Sequence, residues 1–350
     1  MVRTKPSVAH LALVRALKEH GRQVTTTQVE RWQQQAWLPK ASAWFEPASP
    51  TIPPFIMGRS LWLADNARAG RSIGWRAWVF WAIDETLDSA DRLRKDLVTA
   101  LRRPLTQAGI EWMIPHGNCD QAFNARTDAA AKMLPNRRAP RRDLDATLRA
   151  HAADAGLELP RLPGSALPSV SHPALMALGA RLLLGGPEDV RMEDLLKALA
   201  QAVPGHPAIE RLRQAHVQAG LAGTDLLAQE PLARGASCMV HTVETADDRA
   251  LCHAVLICTC ATDALTKLML RAPDEPMIMD LLMADEMWLR WGHVGGITPE
   301  GKPGMAAVAI NTYQYLTMPE WAAGLDRYLS FMNYLLAVLR LVPGGSGMES

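Results

Sequence analysis

The chain has 350 residues, of which 48% are apolar and 21% are charged, and these proportions exclude a chain that is mostly disordered or fibrous. The net charge is only +1, yet residues 1–149 carry 23 Lys and Arg against 14 Asp and Glu, whereas residues 150–350 carry 14 against 22. The basic first half favours a polyanionic partner for that half, although uneven charge is also common in proteins with two domains.

The first 58 residues predict two helices followed by an irregular segment. Residues 8–20 place leucine and valine at helical spacing, and Gly21 is a typical helix stop. A second helix is predicted from Thr26 or Thr27 to about residue 36, because threonine is a favourable N-cap. Residues 41–58 contain four prolines, which predict a loop or linker.

Helices are also predicted at 58–69, 72–83 and 89–101. In the second of these, Trp75, Trp78 and Trp81 lie at i, i+3 and i+6. So heavy an apolar stripe is usually part of a core, and the alternative is a groove for a partner or ligand.

Four arginines flank this region and could bind nucleic acid by stacking and charge. Neighbouring acids balance their charge, however, which favours a packing role for these arginines. They are Arg59, Arg68, Arg71 and Arg76.

The remainder of the chain also reads as helical. A basic loop is predicted at 135–142 and a domain boundary in the Pro- and Gly-rich stretch 157–173. Residues 238–245 fit a short strand or a buried helix, and residues 292–304 predict a glycine-rich loop. The other predicted helices are 173–184, 190–203, 207–219, a long helix capped by Asp247 and ending near 270, 276–290, 306–316 and 319–341.

The predicted fold class is therefore all-α, with an N-terminal helix-turn-helix module followed by a larger helical domain. We assign residues 1–45 to the module and residues 46–150 to a Trp-rich, basic helical segment. Residues 151–350 form an acidic helical domain for oligomerisation or effector sensing.

The segment from Leu11 to Lys40 has the layout of a helix-turn-helix: an amphipathic helix, a turn and a polar second helix. The second helix and its exit carry Trp32, Ala36, Trp37-Leu38 and Pro39 at spacings that resemble the MerR-type helix-turn-helix family. The resemblance covers about 35 residues. Family members usually have glycine at the position of Ala36, arginine at Glu30 and leucine at Trp37, followed by a wing motif that this sequence lacks.

The resemblance implies that the second helix enters the major groove of double-stranded DNA. Short polar and basic side chains near the start of the helix would contact the groove, while Val29, Trp32 and Leu38 would hold the helix to its neighbour. Basic residues nearby would form an N-terminal arm or touch phosphates. The candidate DNA-binding residues are Arg3, Lys5, Arg22, Thr26, Thr27, Gln28, Arg31 and Lys40. The alternative is that the threonines are only a cap and that Gln33, Gln34 and Gln35 are only a solvated face.

These observations favour a transcriptional regulator that acts as a homodimer, because one short helix rarely gives adequate specific affinity. A small-molecule effector could bind the second half. One alternative is a scaffold protein that grips a protein partner with Trp62, Trp75, Trp78 and Trp81. Another is an enzyme or ligand binder whose pocket is lined by methionine and tryptophan of the second half.

We expect no metal and no cofactor. Cys252, His253, Cys258 and Cys260 lack the usual spacing of zinc ligands, and two of these cysteines would point to opposite sides of one helix. Asp280 and Asp285, five residues apart, match helix-surface acids better than a magnesium site, and no catalytic motif is present.

The expected compartment is the cytoplasm. No stretch approaches about 18 consecutive apolar residues, so we expect no membrane partner. Residues 1–10 lack the apolar run of a secretory signal. Five cysteines, an odd number, suit a reducing compartment better than a disulfide framework.

Overall fold

A computed structural model describes residues 7–44, 51–66, 74–84, 86–110, 119–134, 173–202, 207–223, 235–271 and 301–318, with single residues 225, 227 and 330. Every regular element within these ranges is helical, which confirms the all-α fold class. The α-helices are α1 (Val8–Glu19), α2 (Thr26–Gln34), α3 (Pro54–Asn66), α4 (Trp78–Asp84), α5 (Leu87–Gln107), α6 (Asp120–Met133), α7 (Pro173–Gly185), α8 (Met192–Ala202), α9 (Pro207–Leu221), α10 (Gly235–Thr245), α11 (Asp248–Arg271) and α12 (Gly301–Leu316). Short 3-10 helices span Ala41–Ala43, Gly74–Ala77 and Gly186–Glu188.

The chain divides into two units, Met1–Lys95 and Asp96–Ser350, so that the boundary falls within the range of α5. The division predicted at residues 45 and 150 stays a prediction.

The first unit begins with two helices whose ends follow from local sequence signals. The Ser7 hydroxyl accepts a 3.2 Å hydrogen bond from the His10 amide and caps α1. Gly21, at φ 74°, ends that helix, because a residue without Cβ enters the left-handed region at little cost. Both helices predicted in residues 8–36 are therefore present.

The core of the first unit joins α1 and α2 to α3 and α4. Leu13, Leu17, Val29, Trp44 and Ile56 are fully buried in one apolar cluster. Burial of large apolar side chains is the main stabilising contribution to such a unit. The helix α3 starts at Pro54, so the loop predicted to extend to residue 58 is wrong at its end. Proline is well suited to the first helical position, where no amide donor is needed.

The core role predicted for the tryptophan stripe is confirmed for Trp78 and Trp81. Trp78 is fully buried, Trp81 is 7% exposed and Trp75 is half-buried. Trp62 packs edge-on against Phe80, with ring centroids 5.2 Å apart.

In the second unit, α6 packs against α7, and α7 against α8. The buried side chain of Arg126 makes two hydrogen bonds to the Asp189 carboxylate, at 2.6 and 2.7 Å. Arg181 also donates to the backbone carbonyl of Asp189. This bidentate pair ties α6 to the turn that follows α7.

The helices α11 and α12 form an extensively packed pair in the second unit. Residues 238–245 lie within the helix α10, which settles the choice between strand and helix. The Asp247 carboxylate accepts a 2.9 Å hydrogen bond from the Ala250 amide, as its predicted capping role requires. The loop predicted at 292–304 is wrong from Gly301 onward, because α12 begins there.

In the described ranges, no helix is both long enough and apolar enough to cross a bilayer. Several predicted features lie outside those ranges: the basic loop at 135–142, the boundary stretch up to residue 172, the helices at 276–290 and 319–341 except residue 330, and the acids Asp280 and Asp285.

Candidate nucleic-acid interface

The start of α2 is fixed by a reciprocal cap between Thr25 and Gln28. The Thr25 hydroxyl accepts a 3.2 Å hydrogen bond from the Gln28 amide, and the Gln28 side-chain oxygen accepts one of 2.8 Å from the Thr25 amide. Each side chain satisfies a backbone donor that the first helical turn leaves open. Gln28, predicted to contact DNA, is thus half-buried and engaged in the cap through its oxygen.

One face of α2 is held inside the first unit. Val29 is fully buried, Trp32 is 3% exposed, and Leu38 beyond the helix is 1% exposed. All three belong to the apolar cluster that contains Leu13 and Leu17 of α1. The packing role predicted for these three residues is confirmed.

The opposite face of α2 carries a polar stripe that is open to solvent. Thr27, Arg31 and Gln34 are exposed, and they lie at i, i+4 and i+7, which places them in one row along the helix. We call these three residues the α2 polar stripe. Among the described residues, Arg31 has no acidic partner.

The end of α2 requires a left-handed residue, and that residue is Ala36 at φ 54°. The Ala36 amide donates to the Gln33 carbonyl and the Trp37 amide to the Trp32 carbonyl, both at 2.9 Å. This pair of hydrogen bonds is the Schellman arrangement, which usually places glycine at the left-handed position.

A partly buried chain of hydrogen bonds joins α2 to α1. The His10 ring nitrogen Nε2 lies 2.6 Å from the Gln33 side-chain oxygen, and the Gln33 nitrogen donates to the Pro39 carbonyl at 2.9 Å. The same carbonyl accepts a 2.8 Å hydrogen bond from the Trp44 indole. The His10 Nδ1 lies 3.8 Å from a Glu30 carboxylate oxygen. Gln33 therefore belongs to the core boundary and not to the solvated face, a role that sequence reasoning missed.

The other candidate DNA contacts differ in their surroundings. Arg22 is exposed but donates a hydrogen bond to the Asp65 carboxylate, and this bond raises the pKa of the Arg22 guanidinium. Thr26 is half-buried, and Lys40 is exposed beside the Ala41–Ala43 turn. Arg3 and Lys5 lie outside the described residues. The structure thus brings Thr27 and Arg31 together with Gln34, which the sequence had not singled out as a contact.

The alternative sites receive less support. Trp78 and Trp81 are buried within the first unit, so they do not form a surface for a protein partner. Cys258 is buried, which raises the pKa of its thiol, whereas Cys260 is exposed. No group of three or more metal-ligating side chains occurs in the described ranges.

The second unit has an open groove of about 740 Å³ between α8 and α9. Its lining includes Leu196, Val217 and the pair formed by Glu193 and His216. Of the methionines predicted to line a pocket, Met239 and Met305 are buried core residues. Neither of these two methionines lines the groove.

Comparison with known proteins adds no further constraint: no family model, curated protein or solved structure matches this chain.

Proposed function

We propose that the first unit binds double-stranded DNA by placing α2 in the major groove. The observation that carries this proposal is the division of α2 into two faces. Val29 and Trp32 hold one face in the core, while the α2 polar stripe lies exposed on the other. A helix that is anchored on one side and polar on the other meets the geometric requirement for groove insertion.

The side chains of the stripe suit the donors and acceptors of base edges. An arginine can donate two hydrogen bonds to guanine, a glutamine can pair with adenine, and a threonine can contact either base. Arg31 would thus contribute most to affinity and sequence preference, with Gln34 and Thr27 beside it. Glu30, an acid on the same helix, lies near His10 and has only 40% of its side chain exposed, which limits its repulsion of phosphate.

We further propose that the protein acts as a homodimer, as expected of a transcriptional regulator that reads paired half-sites about one helical turn apart. Two α2 helices would supply the affinity that one short helix lacks. The first unit exposes Val8, Leu11 and Phe55, which are 83%, 51% and 54% accessible. Exposed apolar side chains of this size are compatible with a protein contact. The second unit would add oligomer contacts or bind a small-molecule effector.

Fluorescence anisotropy with the full chain and a pool of genomic duplexes tests the proposal. The wild-type protein should bind, and the logarithm of its affinity should fall steeply and linearly with the logarithm of salt concentration. Arg31→Ala should weaken binding by about 10-fold or more, since one good bidentate contact contributes about 1–3 kcal/mol.

Arg92→Ala is the matched control, because Arg92 is also exposed in the first unit but is paired with Asp88. It should leave affinity unchanged. Equal affinity of Arg31→Ala and the wild type would refute the assignment of α2. Gln28→Ala is not a clean test of DNA contact, since it also removes the acceptor of the Thr25 amide from the cap of α2.

A further inference from the structure

The 3-10 helix Gly74–Ala77 presents an arginine on an aromatic ring. The guanidinium carbon of Arg76 lies 5.5 Å from the centroid of the Trp75 ring. Arg76 is exposed, while Trp75 is half-buried. A cation held over an indole is oriented by the ring, and its N–H groups remain available to a further partner.

This arginine lies close in the chain to a contact with the end of α2. The indole N–H of Trp81 donates a 2.9 Å hydrogen bond to the Gln35 carbonyl, directly after the last residue of α2. Arg76 precedes Trp81 by five residues of 3-10 and α-helix, a span of about 8–10 Å at roughly 1.5–2 Å per residue. The short helical span from Gly74 to Trp81 therefore connects the Trp75–Arg76 pair to a side chain that contacts the exit of α2.

The sequence suggested that neighbouring acids balance the charge of Arg76, but two of these acids pair with other arginines. Asp84, the acid at the end of α4, pairs with Arg59, which also lies over the Phe80 ring. Asp88 pairs with Arg92. Within the described residues, Arg76 has no acidic partner. One arginine of this region is therefore part of the packing, and another is an exposed, oriented cation.

We propose that Arg76, held on the Trp75 ring, is a second nucleic-acid contact, which binds a backbone phosphate of the duplex that α2 enters. This inference rests on the proposed DNA binding by α2. A guanidinium can bind two phosphate oxygens at once, and its orientation on the indole reduces the rotamer freedom lost on binding. A phosphate contact of this kind fixes the position of the protein on DNA without reading its sequence.

The test measures the affinity of the full chain for a bound duplex and for an unrelated duplex over a range of salt concentrations. Arg76→Ala should weaken binding to both duplexes by a similar factor of about 3–10, and it should lower the slope of log affinity against log salt by about one unit. Arg76→Lys should recover the salt slope but only part of the affinity, because lysine binds phosphate as a point charge.

Arg31→Ala and Arg92→Ala separate the two hypotheses. If Arg31→Ala abolishes sequence preference while Arg76→Ala behaves like Arg92→Ala, the contact at Arg76 is wrong and the role of α2 stands. If the wild-type protein does not bind duplex DNA at all, both proposals fail. An effect of Arg76→Ala on one duplex sequence only would also overturn the phosphate contact, since it would indicate base reading.

Discussion

The ring of His10 and the side chain of Gln33 are joined by a hydrogen bond of 2.6 Å that links α1 to α2. The amide nitrogen of Gln33 donates to the Pro39 carbonyl, so its oxygen faces the imidazole. The Nε2 atom of His10 must then carry the proton and donate it. This link limits the rotation of α2 about its own axis, and with it the direction of the α2 polar stripe.

Gln33→Ala should therefore lower the free energy of unfolding of the first unit by about 1–3 kcal/mol, because it leaves the Nε2 atom of the buried His10 ring without its partner. Urea unfolding followed by tryptophan fluorescence measures this, since seven of the eleven tryptophans lie in residues 1–95. Gln34→Ala is the control; Gln34 is exposed one residue further on, and its replacement should change stability by less than about 0.5 kcal/mol. Equal effects of the two variants would contradict the role of Gln33 in linking α2 to α1.

Ala36→Gly should stabilise the first unit by about 1 kcal/mol. Ala36 has a φ of 54°, and a residue with a Cβ atom is strained there by roughly 1–2 kcal/mol, whereas glycine is not. Part of the gain is offset by the greater freedom of glycine in the unfolded chain. Thermal unfolding of both forms measures the difference. Ala12→Gly, in the middle of α1, should instead destabilise the first unit by about 0.5–1 kcal/mol. A loss of stability in both variants would exclude backbone strain at Ala36.

Much of the local structure around α2 could be predicted because its signals are short-range. Gly21 and the threonines before α2 indicate where helices end and begin without reference to the rest of the chain. The roles of Gln33 and Arg22 could not be predicted, because they depend on His10 and Asp65, which lie 23 and 43 residues away in the sequence.

The helix α6 was not predicted from the sequence. Its stretch is rich in alanine and polar residues, so its apolar periodicity is weak. The feature that distinguishes this helix is Arg126, whose partner Asp189 is 63 residues further along the chain. A long-range pair of this kind has no signature in a single sequence.

Trp32→Ala should destabilise the first unit by about 3–5 kcal/mol, the usual cost of truncating a large buried aromatic side chain. Trp32 is 3% exposed and lies in the cluster between α1 and α2. Its neighbour Arg31 is exposed, so Arg31→Ala should leave the unfolding free energy within about 0.5 kcal/mol of the wild type. Denaturant unfolding of the two variants separates the structural face of α2 from the proposed DNA-binding face. A stable Trp32→Ala protein would show that α2 is not packed as described.

Gly185→Ala and Gly179→Ala should have opposite effects on the second unit, although both residues lie in α7. A Cβ atom at Gly185 would meet the Asp189 carboxylate and the Arg126 guanidinium, whereas one at Gly179 would meet nothing within 4 Å. Displacing the buried pair should cost about 1–3 kcal/mol. The change at Gly179 should stabilise α7 by about 0.5–1 kcal/mol through helix propensity. Urea unfolding followed by circular dichroism measures both, and a neutral Gly185→Ala would contradict the close packing at Asp189.

The carboxylate of Glu193 should titrate below its ordinary range. The pKa of Glu193 is lowered first by a hydrogen bond from its own backbone amide and then by the side chain of His216, whose Nε2 lies 3.2 Å away. A carboxyl with a lowered pKa in the folded state stabilises the fold above its unfolded pKa of about 4.3, and this contribution is lost as the pH falls through the folded pKa.

Carbon-13 NMR of the Glu193 carboxyl measures this pKa directly. In His216→Ala the pKa of Glu193 should rise but stay below the ordinary value, because the backbone amide still donates. Glu193→Gln should flatten the loss of stability between about pH 5 and pH 3 relative to the wild type. If the Glu193 pKa is the same in His216→Ala as in the wild type, the link between α8 and α9 at the groove does not form.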